Sequence, residues 1–181
     1  TDQELLELRK AGLNLVFVWL ESGDQEVLDL INKGVTVEAQ IEAVKKANKA
    51  GIQTSVTVIL GLGGKKLSEQ HAVNTGKAAT KMNPTFFAAL TLMLVPGTVL
   101  DAMVKRGEFE LVTDPIDVLK EIEWIIKNID ATEPVVFRTN HASNYLPLRG
   151  VLPDDKERLL KTIRSAMKDP SLLRAESMRG L

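Results

Sequence analysis

Residues 56–64 read V-T-V-I-L-G-L-G-G. Four residues that favour a pleated, half-buried surface and one leucine run straight into three glycines within four positions. That pattern predicts a buried strand emptying into a loop nearly free of side chains. A loop stripped in this way lets something approach the backbone closely. Thr36 predicts the N-cap of a helix running to Ala50 just ahead of the strand, with Ile41, Val44 and Ala47 on one stripe. A second, weaker helical pattern follows the glycines from about Ser68 to Met82.

The same alternation repeats on both sides. Asp2–Ala11 is a short amphipathic helix ending at Gly12. Residues 14–20 form an apolar run that reads as a strand buried on both faces. Gln25–Lys33 reads as a short helix with Gly34 past its end. Residues 85–94 read as a third buried strand, and Thr98–Arg106 as the helix after it. Thr113 or Asp114 caps a further helix that has Pro115 in its first turn. V-V-F-R at 135–138 is a short strand, 139–148 a polar loop, and Pro153–Met167 a last helix. Strands alternating with helices predict an α/β fold with parallel pairing. Three long strands are too few to close a barrel. A small open sheet and a part of a larger barrel are the two expectations, in a single domain over 1–181.

The chain has 181 residues, 44% apolar and 26% charged, as expected of a globular domain with a core. A net charge of −1 gives no electrostatic case for nucleic acid or membrane surfaces. No apolar run is long enough to span a bilayer. Thr1–Ala11 is charged and helical rather than leader-like, so a cytoplasmic location is the expectation. Cysteine is absent, which excludes disulfides, thiolate metal ligands and cysteine nucleophiles in this chain.

In parallel α/β structures the functional end is the C-terminal end of the strands. The candidates there are Glu21–Asp24, Gly61–Lys65, Val95–Thr98 and Arg138–Asn144. Glu21 suits a hydroxyl, a metal or a cation, or it helps cap the helix that follows. The glycine loop lacks the G-K-[S/T] of a phosphate loop and the spacing of a dinucleotide fingerprint, so a bare turn competes with a ligand site. His71 reads as a surface or capping histidine. His141, inside N-H-A-S-N, reads equally as functional or as part of a loop cross-linked by its own amides. The two histidines lack metal-ligand spacing, and no Ser-His-Asp arrangement can be built. Trp19 and Trp124 read as core residues.

Several of these segments resemble one family. L-E-S-G-D-Q-E-V-L-D-L-I-N-K-G (20–34), V-I-L-G-L-G-G (58–64) and L-M-L-V-P-G-T (92–98) are similar to the fourth-, fifth- and sixth-strand regions of radical S-adenosylmethionine (SAM) enzymes. Residues 137–160, F-R-T-N-H-A-S-N-Y-L-P-L-R-G-V-L-P-D-D-K-E-R-L-L, resemble a tail found in branches related to oxygen-independent coproporphyrinogen oxidases and other iron–sulfur oxidoreductases. The resemblance implies the C-terminal part of a partial (βα)6 TIM-like barrel over about 1–106, with a helical extension over about 107–181. It also implies SAM and a 4Fe–4S cluster in the complete enzyme, together with an electron donor and a small-molecule substrate.

By that resemblance Glu21 matches the position that bonds the ribose hydroxyls. Lys33 matches a basic residue that holds the methionine carboxylate. Thr57 falls where some relatives carry an aspartate on the ribose. Ile59 and Gly61 match the pair that packs on adenine and lets it approach, with Gly63 among the glycines that make room. Leu94 and Val95 match backbone contacts to the adenine edge. Asn140, His141 and Asn144 are the expected substrate contacts, overhanging the barrel mouth. The departures are as clear. The cluster motif C-x-x-x-C-x-x-C is absent, and so are the first three strands. Gly64 stands where a glutamate sometimes ends the fifth-strand motif, and Trp19 where a small residue is expected. The expectation is the C-terminal half of a radical enzyme, inactive alone, with an open sheet edge through which two copies pair. The alternatives are a non-catalytic α/β binding or structural module, and a phosphate-handling half-barrel.

Overall fold

The computed structural model describes residues 1–180. A five-stranded sheet lies at its centre, in the order β1 (Leu15–Glu21), β2 (Gln53–Leu60), β3 (Phe86–Thr91), β4 (Val135–Arg138) and β5 (Arg149–Leu152). The first four strands are parallel and β5 returns antiparallel to β4. The crossovers carry α2 (Gln25–Leu30) with α3 (Val37–Lys49), then α4 (Gly64–Met82), then α5 (Val99–Lys105) with α6 (Pro115–Lys127). Helix α1 (Asp2–Lys10) precedes β1 and α7 (Lys156–Lys168) follows β5. Strand order equals chain order, and α3, α4, α6 and α7 pack one against the next. That is the construction of a barrel wall, with parallel strands inside and helices outside.

One core cluster fills the space between sheet and helices. Val56, Val58 and Leu60 of β2, Phe87 and Ala89 of β3, and Phe137 of β4 meet Val44, Ala72, Leu119, Ile122 and Ile163 of the helices. The cluster runs without a break across position 106, and β4 extends the parallel sheet.

The opposite face of the sheet carries no helix. Phe17 and Trp19 on β1 are 70% and 53% exposed. The apolar run at 14–20 therefore belongs to a strand buried on one face, and Trp19 is not a core residue. Alternation decides this: Leu20 faces the helices, and its neighbours face away. β1 is also an edge strand, and α1 beside it buries none of its residues, with Leu6 43% and Leu8 48% exposed.

Several boundaries depart from the sequence reading: β3 ends at Thr91 rather than at 94, and α2 at Leu30 rather than Lys33. Helix α4 begins at Gly64 rather than near Ser68, directly from the glycine turn. β5 was not expected, because R-G-V-L is too short to show a period.

Helix α4 is held close by two glycines. A Cβ on Gly23 would lie 2.5 Å from the Thr75 Cα, and one on Gly76 would lie 2.6 Å from the Ile125 carbonyl oxygen. Alanine at 76 would gain about 1 kcal/mol of helix propensity. Overpacking costs roughly 1–3 kcal/mol, and toward the upper end where the neighbour is backbone. Gly76→Ala should therefore lower stability by about 1–2 kcal/mol net. Lys77→Ala, one exposed position on, should stay within about 0.5 kcal/mol by urea unfolding.

Candidate functional site

The C-terminal ends of β1 and β2 lie side by side, but their register slips between Trp19 and Glu21. The slip is a bulge that re-aims the chain. Glu21 takes φ 64, and the Ser22 N–H donates to the Leu20 carbonyl at 2.8 Å, closing a three-residue turn centred on Glu21. Left-handed backbone at a non-glycine residue costs about 1 kcal/mol or more and collects at functional sites.

Lys33 reaches Glu21 by a second device. α2 ends at Leu30, Asn32 turns left-handed at φ 58, and the Lys33 N–H returns to the Leu28 carbonyl at 2.9 Å. The Lys33 Nζ then lies 3.0 Å from Glu21 Oε1, with the side chains 25% and 19% exposed. A carboxylate and an ammonium thus stand together at a strand end, half-shielded from water and reachable by a ligand.

Thr57 is buried and Ile59 half-buried on the helix-free face; Thr57 pairs with Trp19 and Ala88, and Ile59 with Leu90. Gly61 adopts φ 81, and a Cβ there would meet nothing closer than 3.6 Å. Gly63 and Gly64 differ. A Cβ on Gly63 would lie 2.9 Å from the Leu67 carbonyl oxygen, and one on Gly64 2.9 Å from that of Glu110. The room freed at these two positions is filled by the chain itself. Leu94 is half-buried and Val95 is 44% exposed, and the Val95 carbonyl accepts the Thr98 hydroxyl at 2.8 Å.

At the far end of the sheet, Asn140 and His141 are exposed on the loop after β4. The Ser143 N–H donates to His141 Nδ1 at 3.2 Å. Asn144 is 1% exposed. Its amide donates to the Ala89 and Thr139 carbonyls at 2.8 and 2.9 Å and accepts from the Thr91 hydroxyl at 2.8 Å.

Behind the strand ends lies a buried polar chain that sequence reading missed. His71, expected at the surface, is fully buried. Its Nδ1 is 2.8 Å from the Ser22 hydroxyl, and its Nε2 has no hydrogen-bond partner and lies 4.0 Å from Glu121 Oε2. Glu121, also fully buried, accepts the Gly61 N–H at 2.6 Å and the Ser68 hydroxyl at 2.5 Å. The signal in the sequence was a lone carboxylate inside the apolar stripe Val118, Leu119, Ile122, Ile125. The network joins Ser22, next to Glu21, with Gly61.

Comparisons with known proteins bear on this site. Residues 1–76 match the family model of the Radical SAM superfamily. That matched stretch is less than half of the chain. It contains Glu21, Lys33, Thr57, Ile59 and Gly61. An uncharacterized protein of Methanocaldococcus jannaschii is 31% identical over 96 residues, 51% of this chain and 29% of the relative. An uncharacterized methyltransferase of Pyrococcus horikoshii is 30% identical over 91 residues, 50% of this chain and 19% of the relative. Elp3 of Methanocaldococcus infernus with an N-terminal deletion superposes with a TM-score of 0.63 at 19% identity, over 95% of this chain and 40% of that one. Methylornithine synthase gives 0.51 at 16% identity, over 97% and 56%. The fold is thus the mostly parallel α/β wall of the radical SAM barrels. The chain spans less than a third of either curated relative.

Radical SAM enzymes use SAM and a 4Fe–4S cluster. This chain has no cysteine, and no group of His, Asp or Glu able to hold a metal ion occurs among the described residues. The residues here do not fit a cluster.

Burial drives the two hidden groups in opposite directions. It lowers His71 to about 4, although Asp24 and the Ile59 carbonyl pull the other way. It raises Glu121 to about 7 against the bonds from Ser68 and Gly61. From about 4.5 to 7 the unfolded chain has lost the Glu121 proton that the folded chain keeps, so this group makes stability fall as pH rises. From about 6.5 down to 4 the unfolded chain takes up a His71 proton that the folded chain refuses, so this group makes stability fall as pH drops. The slopes oppose each other in the wild-type protein. Urea midpoints of Glu121→Gln should rise between pH 4 and 6.5, and those of His71→Gln should fall between pH 4.5 and 7.

Proposed function

We propose that this chain is the C-terminal part of a radical SAM oxidoreductase barrel that supplies one wall of the cofactor site and the substrate mouth. The observation that carries the reading is the Glu21–Lys33 pair, held at 3.0 Å at the end of β1 by a left-handed turn. A carboxylate accepts two hydroxyls of a ribose at once, and an ammonium twelve positions on meets an amino-acid carboxylate. Thr57 and Ile59 give the floor beside them, Gly61 and Gly63 the turn above it, and Leu94 and Val95 the backbone edge for adenine. When bound, SAM supplies hydrogen-abstraction chemistry. The cluster ligands come from sequence other than this chain, and so does the electron donor. Asn140 and His141 contact substrate, while Asn144 holds their loop. The reading places the complete enzyme in the cytoplasm; no helix among the described residues is long and apolar enough to cross a membrane.

The open flank supports a longer barrel. β1 presents an unpaired edge, Phe17 and Trp19 lie bare beside it, and α1 has no buried residue. Further strands cover this edge in the complete barrel, and a second copy covers it when the chain is alone. Sedimentation of the chain should show a dimer. A monomer at tens of micromolar would remove the second-copy arm.

S-Adenosylhomocysteine, which carries the ribose and the carboxylate, is the direct probe. In amide NMR spectra it should shift Glu21, Lys33, Ile59, Gly61 and Val95. Glu21→Gln and Lys33→Ala should each weaken binding by roughly tenfold, the worth of one charge-assisted bond. Shifts elsewhere, or none, would leave the non-catalytic α/β module as the reading.

A further inference from the structure

We propose that Arg138 and Arg149 form an oxyanion site on the helix-free face of the sheet, and that the substrate carries the carboxylate or phosphate they hold. The two residues are direct partners across the β4–β5 pair. The Thr139 N–H donates to the Leu148 carbonyl at 3.0 Å, which makes that the hydrogen-bonded pair. Arg138 and Arg149 then form the adjacent close pair, with Cα atoms about 4.5 Å apart. Phe137 and Leu152 face the helices, so the two arginines face away from them.

Like charges set directly opposite each other repel. Among the described residues no ion pair compensates. Arg106, Arg158, Arg164 and Arg179 are ion-paired, and Arg9 and Arg174 donate to carbonyls. Arg138 and Arg149 alone have neither an ion pair nor a side-chain hydrogen bond among the described residues. The Arg138 Nε is buried with no partner at all, and an unmet buried donor is costly. The guanidinium is nonetheless held in place, its Cζ 5.4 Å from the centre of the Phe86 ring. Two forks carried side by side on one face of the sheet suit a planar or tetrahedral oxyanion, which would satisfy the donor and cancel the repulsion.

The location fits a reacting molecule. Trp19, Thr57, Ala88, Arg138 and Arg149 form one row across all five strands. Ala88 keeps the middle of the row low. From Thr57 to Arg138 is two strand spacings, about 10 Å, the span of a small metabolite. Asn140 and His141 stand two and three residues beyond Arg138. That the anion belongs to the substrate rests on the function proposed above; that the pair binds an oxyanion does not.

The Arg138 Nε–H is the reporter, because burial slows its exchange with water. The chain is titrated with sodium succinate and, separately, with sodium phosphate, at ionic strength fixed by chloride. A saturable shift of the Arg138 Nε–H signal is expected, and the anion that binds more tightly tells carboxylate from phosphate. Arg149→Gln, at an exposed position, should leave the amide spectrum folded and weaken binding roughly tenfold. No saturable shift with either anion, or unchanged affinity in Arg149→Gln, overturns the site. If succinate or phosphate binds while S-adenosylhomocysteine leaves Glu21 unmoved, the cofactor reading falls and the anion site stands.

Discussion

The ends of the first two strands hang from one helix. α4 lies against Gly23, and through its own Gly76 against Ile125, so closely that neither glycine has room for a methyl group. From that seat its side chains reach into every part of the strand-end machinery. Asn74 bonds Asp24 at 2.6 Å, Thr75 takes the Gly23 N–H at 2.9 Å, His71 meets Ser22, and Ser68 meets Glu121. Interiors are packed as densely as organic crystals, so a contact made by backbone has no flexible end that can yield. The turn carrying Glu21 and the turn carrying Gly61 therefore keep their mutual position through α4, although they meet only along a bulged ladder.

The remaining asymmetry of the molecule follows from its coverage. Helices shield one face of the sheet, and there Phe87 and Phe137 stack at 6.2 Å inside a continuous core. The other face is floored by Trp19, Thr57 and Ala88 and keeps its polar groups at the rims. On one rim stand Glu21 and Lys33, which satisfy each other. On the other stand two arginines that do not. A sheet that were merely one layer of a two-layer fold would gain nothing from an unmatched guanidinium pair on its bare side.

Much of this was legible in the sequence because the local signals agreed. Thr36 and Asp114 cap their helices, Pro115 opens one, and the strand read at 56–60 ends at the glycine turn as its composition says. The resemblance of 20–34 to radical SAM sequences singled out Glu21 and Lys33 as separate ligand contacts, but not their pairing with each other at 3.0 Å. What was not legible depends on partners far along the chain. His71 and Glu121 are 50 positions apart, and nothing beside either one indicates that they share a buried pocket. Trp19 looked like core because an apolar run cannot say which of its faces is covered. β5 has four residues, and only its pairing with β4 makes it a strand.

The end of the described chain belongs to the same mouth. Arg174 donates to the carbonyls of His141, Ala142 and Asn144, and Arg179 to that of Ser143 while lying 3.9 Å over the Tyr145 ring. Loop and tail thus form one exchangeable module rather than two segments. Grafting residues 139–148 from a relative onto this scaffold would strand both arginines beneath carbonyls that had moved. A graft that also carried 170–180 would bring its own clamp. Sequence change in this loop is therefore tied to paired changes, one in the loop and one some thirty residues later in the chain.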